Sequence, residues 1–130
     1  MKLEELLREM VDAKASDIFI IAGLPLSYEV SGRQIRLDSA PLMPDDTETF
    51  VRAIYEVSGR SMQRFVDNGN HDDDFSFAIA GVGRFRANVF RQRGSFGAVI
   101  RVIPFGLPNP ADFHIPDEVL RLARLQKGLV

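Results

Sequence analysis

The chain contains no cysteine among its 130 residues, which excludes a disulfide framework and any thiolate metal site. It has no basic excess either. A formal charge of -2 and a pI near 5.7 argue against a general nucleic-acid coat, because such proteins carry surplus positive charge across the whole domain. Apolar runs are short: Ile18 to Leu24 falls far below the roughly 20 residues that a spanning helix needs. Lys2 and a charged amphipathic start replace the apolar region of a signal peptide, so a cytoplasmic setting is expected. Also missing is a phosphate loop of the form GxxxxGK followed by Ser or Thr. Gly81-Val82-Gly83 lacks its length, its lysine and its following helix, so the chain alone is expected not to hydrolyse nucleotide. His71 and His114 have no metal-ligand spacing, and Asp72-Asp73-Asp74 lacks the spacing and glycine of a calcium loop. That acidic run reads as a solvated turn or as partners for nearby arginines. No serine lies in a nucleophile elbow, so neither a catalytic group nor a metal site is expected.

What is present is 45% hydrophobic content, enough for one domain with a core. Leu3, Leu6, Leu7, Met10 and Val11 repeat at helical spacing between Lys2 and Lys14, with Glu4 and Glu5 near the positive end of the expected helix. Ile18 to Ile21 reads as a central strand ended by Gly23 and Pro25. Leu26 to Val30 and Gln34 to Leu37 flank a Ser31-Gly32-Arg33 turn, and Pro41 to Pro44 reads as a loop. A second helix follows Asp45, with Phe50, Ile54 and Val57 at helical spacing, and stops at Ser58-Gly59. A short third spans Arg60 to Val66 before the stop signal Asp67-Asn68-Gly69. Asp74 to Ala80, Arg84 to Arg91 and Gly97 to Ile103 read as strands of two hairpins in series. The proline-rich stretch from Pro104 to Pro116 reads as a linker, and Val119, Leu122, Ala123 and Leu125 resume helical spacing up to Gly128. Leu129-Val130 looks like the start of a cut strand. The expected class is α+β, a mainly antiparallel sheet covered by helices.

Gly83 to Pro104 concentrates five arginines: Arg84, Arg86, Arg91, Arg93 and Arg101. From Arg84 to Val89, alternation puts Phe85, Ala87 and Val89 on one face and Arg84, Arg86 and Asn88 on the other. Arginine grips carboxylate or phosphate through planar paired donors, so this face is either an ion-paired surface or an anion-facing site. The first alternative pairs Asp74 and its neighbours with the arginine strand. Interleaved Phe85, Phe90 and Phe96 also leave open a single-stranded nucleic-acid platform.

Several segments in order along the chain resemble one family. They are Ala15-Ser16-Asp17-Ile18; Gly23-Leu24-Pro25 with Gly32; Gly83-Arg84-Phe85-Arg86-Ala87-Asn88-Val89-Phe90-Arg91-Gln92-Arg93-Gly94; Ile100-Arg101-Val102-Ile103-Pro104; and Gln126-Lys127-Gly128-Leu129-Val130. This set is similar to the N-terminal domain of the type IV pilus retraction ATPases, the twitching-motility PilT group of the type II/IV secretion ATPase superfamily. Two positions depart from that pattern: Phe19 stands where the family usually has histidine, and Glu29 where a basic residue is common.

The resemblance implies a PAS-like N-terminal domain over residues 1–103, a linker over 104–116, and the start of a RecA-like ATPase domain over 117–130. It implies ATP and magnesium bound mainly by that further domain, with no cofactor held by the present chain. It implies a homo-hexamer working with pilus machinery at the inner membrane, with no nucleic-acid partner. Arg86, Arg93 and Arg101 match the family's phosphate-contacting arginines best, with Arg84 and Arg91 next. On that basis Arg86, Arg93 and Arg101 are expected near one exposed rim, poorly satisfied by acids of the same chain. The alternatives are a free-standing PAS-like small-molecule sensor, which calls for an enclosed apolar pocket, and the nucleic-acid platform.

Overall fold

The computed structural model describes residues 2–67 and 72–104. The expected Asn68-Gly69 turn, His71, the linker beyond Pro104, His114 and the expected helix and cut strand up to Val130 lie outside the described residues. The described elements run α1 (Leu3–Asp12), β1 (Asp17–Ile20), β2 (Pro25–Val30), β3 (Arg33–Pro41), α2 (Pro44–Ser58), α3 (Met62–Asp67), β4 (Asp72–Ile79), β5 (Gly83–Gln92) and β6 (Ser95–Ile103).

α1 lies on the sheet through one apolar stripe: Leu3, Leu6, Leu7 and Met10 are all buried. It closes without glycine. The Ala15 amide donates to the Met10 carbonyl and the Lys14 amide to that of Val11, each at 3.0 Å, while Lys14 adopts φ 60°. This is a Schellman closure with lysine in the left-handed position that glycine usually takes. α2 begins at Pro44, whose fixed φ suits a first helical position, and the Asp46 carboxylate accepts the Met43 amide at 2.9 Å. Gly59, at φ 72°, ends it. Fully buried Thr47 donates its hydroxyl to the Pro44 carbonyl at 3.0 Å, which removes the penalty of an unpaired polar group in the core.

The strands form one six-stranded sheet in the order β3-β2-β1-β6-β5-β4, and every pairing is antiparallel. Two three-stranded meanders, β1 to β3 and β4 to β6, join where β1 pairs with β6. Ile18, Ile20, Phe85, Ala87, Val89, Ala98 and Ile100 form the inner face of the central strands, against α1 and α2. Tyr55 of α2 stacks on Phe65 of α3 at 6.1 Å and meets Phe75 of β4 at 5.2 Å, while Phe77 and Phe85 stack at 5.3 Å. The fold is α+β, as the sequence pattern implies. None of the described helices is long and apolar enough to cross a membrane.

Three strand edges shift by two residues or more, and α3 begins at Met62 rather than Arg60. β3 runs on to Pro41 rather than ending at Leu37, because Pro41 pairs with Pro25 beyond an irregularity in the ladder. The part from Asp38 to Pro41 is exposed and carries no apolar alternation, so backbone pairing rather than side-chain burial defines it. β4 begins at Asp72, since two acidic residues of an edge strand keep their side chains in solvent or on partners. β6 begins at Ser95, directly after the Arg93-Gly94 turn, where φ values of 53° and 79° produce a tight reversal.

Lys14→Gly should relieve the left-handed strain at the end of α1 and raise stability by about 0.5–1 kcal/mol, read as a Tm rise of a few degrees by calorimetry. A fall in Tm would show that the Lys14 side chain contributes more than its backbone conformation costs.

Candidate functional site

Helices cover one face of the sheet; among the described residues no helix packs on the other. Strand register sets what that open face presents. One row across it reads Ser76, Arg86, Arg101, Asp17, Glu29 and Gln34, from β4 to β3. The adjacent row reads Asp74, Asn88, Val99, Phe19, Ser27 and Arg36. Beyond Arg86, Arg84 stands between Ala78 and Ile103. At the other end Phe90 opposes Gly97, and a Cβ added at Gly97 would lie 2.6 Å from the Phe90 ring. Glycine there lets the ring lie on the β6 backbone. The face thus carries charges of both signs at one end and is apolar around Phe19, Phe90 and Val99.

Arg86 forms a two-point bond to Asp74 on β4, Nε to Oδ1 at 3.0 Å and Nη2 to Oδ2 at 2.9 Å. Arg101 donates from Nε to Asp17 Oδ1 on β1 at 3.3 Å. Both guanidinium groups remain largely in solvent, with side-chain exposures of 60% and 71%. Arg84 is exposed and makes no ion pair among the described residues. Arg91 points the other way: its guanidinium lies 5.6 Å from the Phe65 ring centre and 5.8 Å from that of Phe96, and it donates to the Val66 carbonyl of α3 at 3.3 Å. It fastens α3 to the β5–β6 hairpin. Arg93 sits in the turn and lines a small recess of about 250 Å³ with Ile21, Ala22, Phe90, Gln92, Ser95 and Phe96.

The expectation of one rim with poorly satisfied arginines is therefore corrected. Arg86 and Arg101 stand abreast, but Arg93 lies in the turn just past the far end of β5, roughly 20 Å away at strand rise. Arg86 and Arg101 each hold a carboxylate of the same chain. The ion-paired reading of the strand is met at Asp74–Arg86, and the acidic run does partner arginines. Its middle member, Asp73, accepts the Tyr55 hydroxyl at 2.7 Å and faces Arg60 at 3.5 Å, while Arg60 also lies 4.6 Å over Phe75. Burial first, then the bond to Asp73, push the Tyr55 phenol well above its usual range, so it stays a donor. The sequence reading missed the Tyr55–Asp73–Arg60 contact and the Asp17–Arg101 pair. Among the described residues no group of three or more acidic or histidine side chains is placed to hold a metal. On the helix-bearing side, a groove of about 1060 Å³ runs between α1, α2 and β3, with Leu26, Leu37, Leu42, Phe50 and Val57 in its lining.

The architecture is that of an α+β domain that packs helices on one sheet face and sets a row of arginines and carboxylates on the other. No protein-family model matches the chain. It is 37% identical over its whole length to the type IV pilus ATPase PilU of Pseudomonas aeruginosa, covering 33% of that protein. It is 31% identical to the type IV pilus retraction ATPase PilT of the same organism, again over its whole length and over 37% of that protein. A crystal structure of the pilus retraction motor PilT with bound ADP superposes with a TM-score of 0.71 at 36% identity, covering 96% of this chain and 36% of the other. The chain belongs to the PilT-like ATPases as an N-terminal domain, and it spans about a third of the length of these relatives.

The Arg86 contact holds the Asp74 carboxyl below the usual carboxylate range, outweighing a slight desolvation. A carboxyl with a lowered folded-state pKa stabilises above its unfolded value and loses that stabilisation as pH falls through the folded one. The Tm difference between wild type and Asp74→Asn is accordingly expected in full at neutral pH, shrinking below about pH 4 and vanishing at lower pH. A difference that does not change with pH contradicts the pairing.

Proposed function

We propose that this chain is the PAS-like N-terminal domain of a hexameric motor ATPase for pilus retraction or secretion, and that it packs on the ATPase domain of a neighbouring subunit. Its open sheet face lends arginines to the phosphates of ATP held there with magnesium. Residues 1–103 form the domain, 104–116 a linker, and 117–130 lead into the RecA-like ATPase domain. The motor is cytoplasmic and meets the inner membrane through the pilus machinery. The observation that carries this reading is the pair Arg86 and Arg101, abreast on a face that no described helix covers, in a chain that matches two pilus ATPases from end to end.

A guanidinium brought across a subunit interface neutralises charge on the transferred phosphoryl group and needs no change of protonation to do so. Arg84, Arg86 and Arg101 share the face suited to this role. Arg93 acts from the separate β5–β6 turn, and Arg91 acts indirectly by holding α3 against the hairpin. The residues present fit a phosphate-contacting role and supply no ligand cluster for magnesium among those described. Magnesium and most ATP contacts fall to the further domain.

In the full-length protein, Arg101→Ala should lower ATP turnover about tenfold or more while weakening ATP binding much less, as measured by steady-state kinetics beside equilibrium nucleotide binding. Turnover left intact by combined Arg86→Ala, Arg93→Ala and Arg101→Ala would remove the arginine role.

The groove between α1, α2 and β3 gives a second reading, a small-molecule binding module; it is open rather than enclosed, and Lys2, Glu4, Asp38, Asp46 and Glu56 join the apolar residues of its lining. A bound metabolite would raise the Tm of the chain, and Ala53→Phe, which fills the groove, would abolish that rise.

A further inference from the structure

Arg86 and Arg101 are direct cross-strand partners on β5 and β6. Side chains so placed have Cβ atoms about 4.5–5.5 Å apart, so two guanidinium groups repel unless something draws them aside. The structure shows what does. Arg86 leans diagonally to Asp74 on β4, and Arg101 leans the opposite way to Asp17 on β1. The charge order across the face is Asp74, Arg86, Arg101, Asp17: acid, base, base, acid. The two cations are adjacent at its centre, and each has its Nε turned outward to a carboxylate.

The two locks differ. Arg86 is held at two points within 3.0 Å, whereas Arg101 has one contact at 3.3 Å and makes no other bond among the described residues. Asp17 is the more enclosed acid, with 17% side-chain exposure against 45% for Asp74. Glu29 is its neighbour across the β1–β2 register, so a second negative charge stands behind Asp17. Were Arg101 to swing away, Asp17 would be left facing Glu29, and that repulsion favours the return of Arg101.

We propose that Arg86 and Arg101 form a two-armed clamp for a phosphate oxyanion, and that Asp74 and Asp17 are positioning residues that compete with the oxyanion as built-in anions. Arg101 is the arm released first, and Glu29 strengthens its retention. An oxyanion between the two guanidinium groups replaces the carboxylates as partner and turns both forks inward, where paired N–H donors match its geometry. The clamp rests on the reading that these arginines serve phosphate, and it adds that the domain itself sets how readily they are given up.

The experiment titrates the 130-residue chain with inorganic tripolyphosphate at low ionic strength and compares wild type with Asp17→Asn, Asp74→Asn and Arg86→Ala/Arg101→Ala, recording the Tm of each. Surface ion pairs of this kind set the scale of the effect: each Asp→Asn change is expected to tighten binding about two- to fivefold while the variant stays folded, its Tm lowered only by the loss of its own ion pair, and the double arginine variant to lose binding. Glu29→Gln, which touches neither arginine, should tighten it by a smaller factor and keeps the test sharp if an aspartate variant fails to fold. Unchanged or weaker binding in the folded acidic variants overturns the clamp, as does unaltered binding in the double arginine variant. Failure here is distinguishable from failure of the motor reading. If Arg101→Ala lowers turnover of the full-length protein while the acidic variants bind tripolyphosphate no tighter, the motor reading stands and the clamp falls. If the acidic variants bind tighter but the arginine variants leave turnover intact, the reverse holds.

Discussion

The pairing of β1 with β6 is the constraint from which the remaining geometry follows. Each of these strands ends a three-stranded meander, and only their ladder, Asp17 with Arg101 through Ile20 with Ala98, joins the two into one sheet. The Ser16 carbonyl extends it by accepting the Val102 amide at 2.9 Å. The same register places Ile18 beside Ile100 on the helix-bearing face, where both are fully buried, and Asp17 beside Arg101 on the open face. Because side chains alternate strictly, a one-residue slip would carry the isoleucines into solvent and Arg101 into the core. The apolar core therefore fixes the position of the charged row, and the row needs no energy of its own to be ordered.

That division of labour accounts for the different fates of arginines within one hairpin. Arg84, Arg86 and Arg101 lie in phase with the open face, and Arg91 lies in phase with Phe85 and Val89. An arginine on the covered face has to find partners there, and Arg91 does so through two aromatic rings and the Val66 carbonyl of α3. Phe90 shows the converse: an aromatic ring in phase with the arginines, which Gly97 accommodates by leaving the β6 backbone bare beneath it. The open face is thus a stable surface in the isolated domain, with Arg86 and Arg101 already paired to acids and its rings partly covered. Such a surface can serve a partner reversibly, because on leaving the partner these two arginines return to their carboxylates.

Local signals made most of the fold legible. The Leu3 to Met10 stripe, the Gly59 stop, the Ser31-Gly32 and Arg93-Gly94 turns and the Arg84 to Val89 alternation each depend on residues a few positions apart. The pairing of Arg86 with Asp74 was within reach for the same reason, being one hairpin away. The Asp17–Arg101 pair was not, because its members are 84 residues apart and meet only through the β1–β6 register. The engagement of Arg91 depends on where α3 docks, and the Tyr55–Asp73–Arg60 contact on α2 crossing β4; neither is encoded in a repeat. Acidic residues at the start of β4 concealed a strand, since Asp72 and Asp73 look like a turn until edge pairing is taken into account.

The central claim is that the open-face arginines act on nucleotide held by an adjoining subunit. Mixed rings test it most directly. Full-length subunits with Arg86→Ala and Arg101→Ala keep an intact nucleotide site but lend neither arginine to the neighbouring site, and subunits disabled in the phosphate loop of the ATPase domain lend both arginines but have no working site. Each kind alone should be inactive. Co-assembled, the two should recover a substantial fraction of ATP turnover, because the second supplies arginines to the first across the interface. Mixed rings as inactive as either parent would contradict the account.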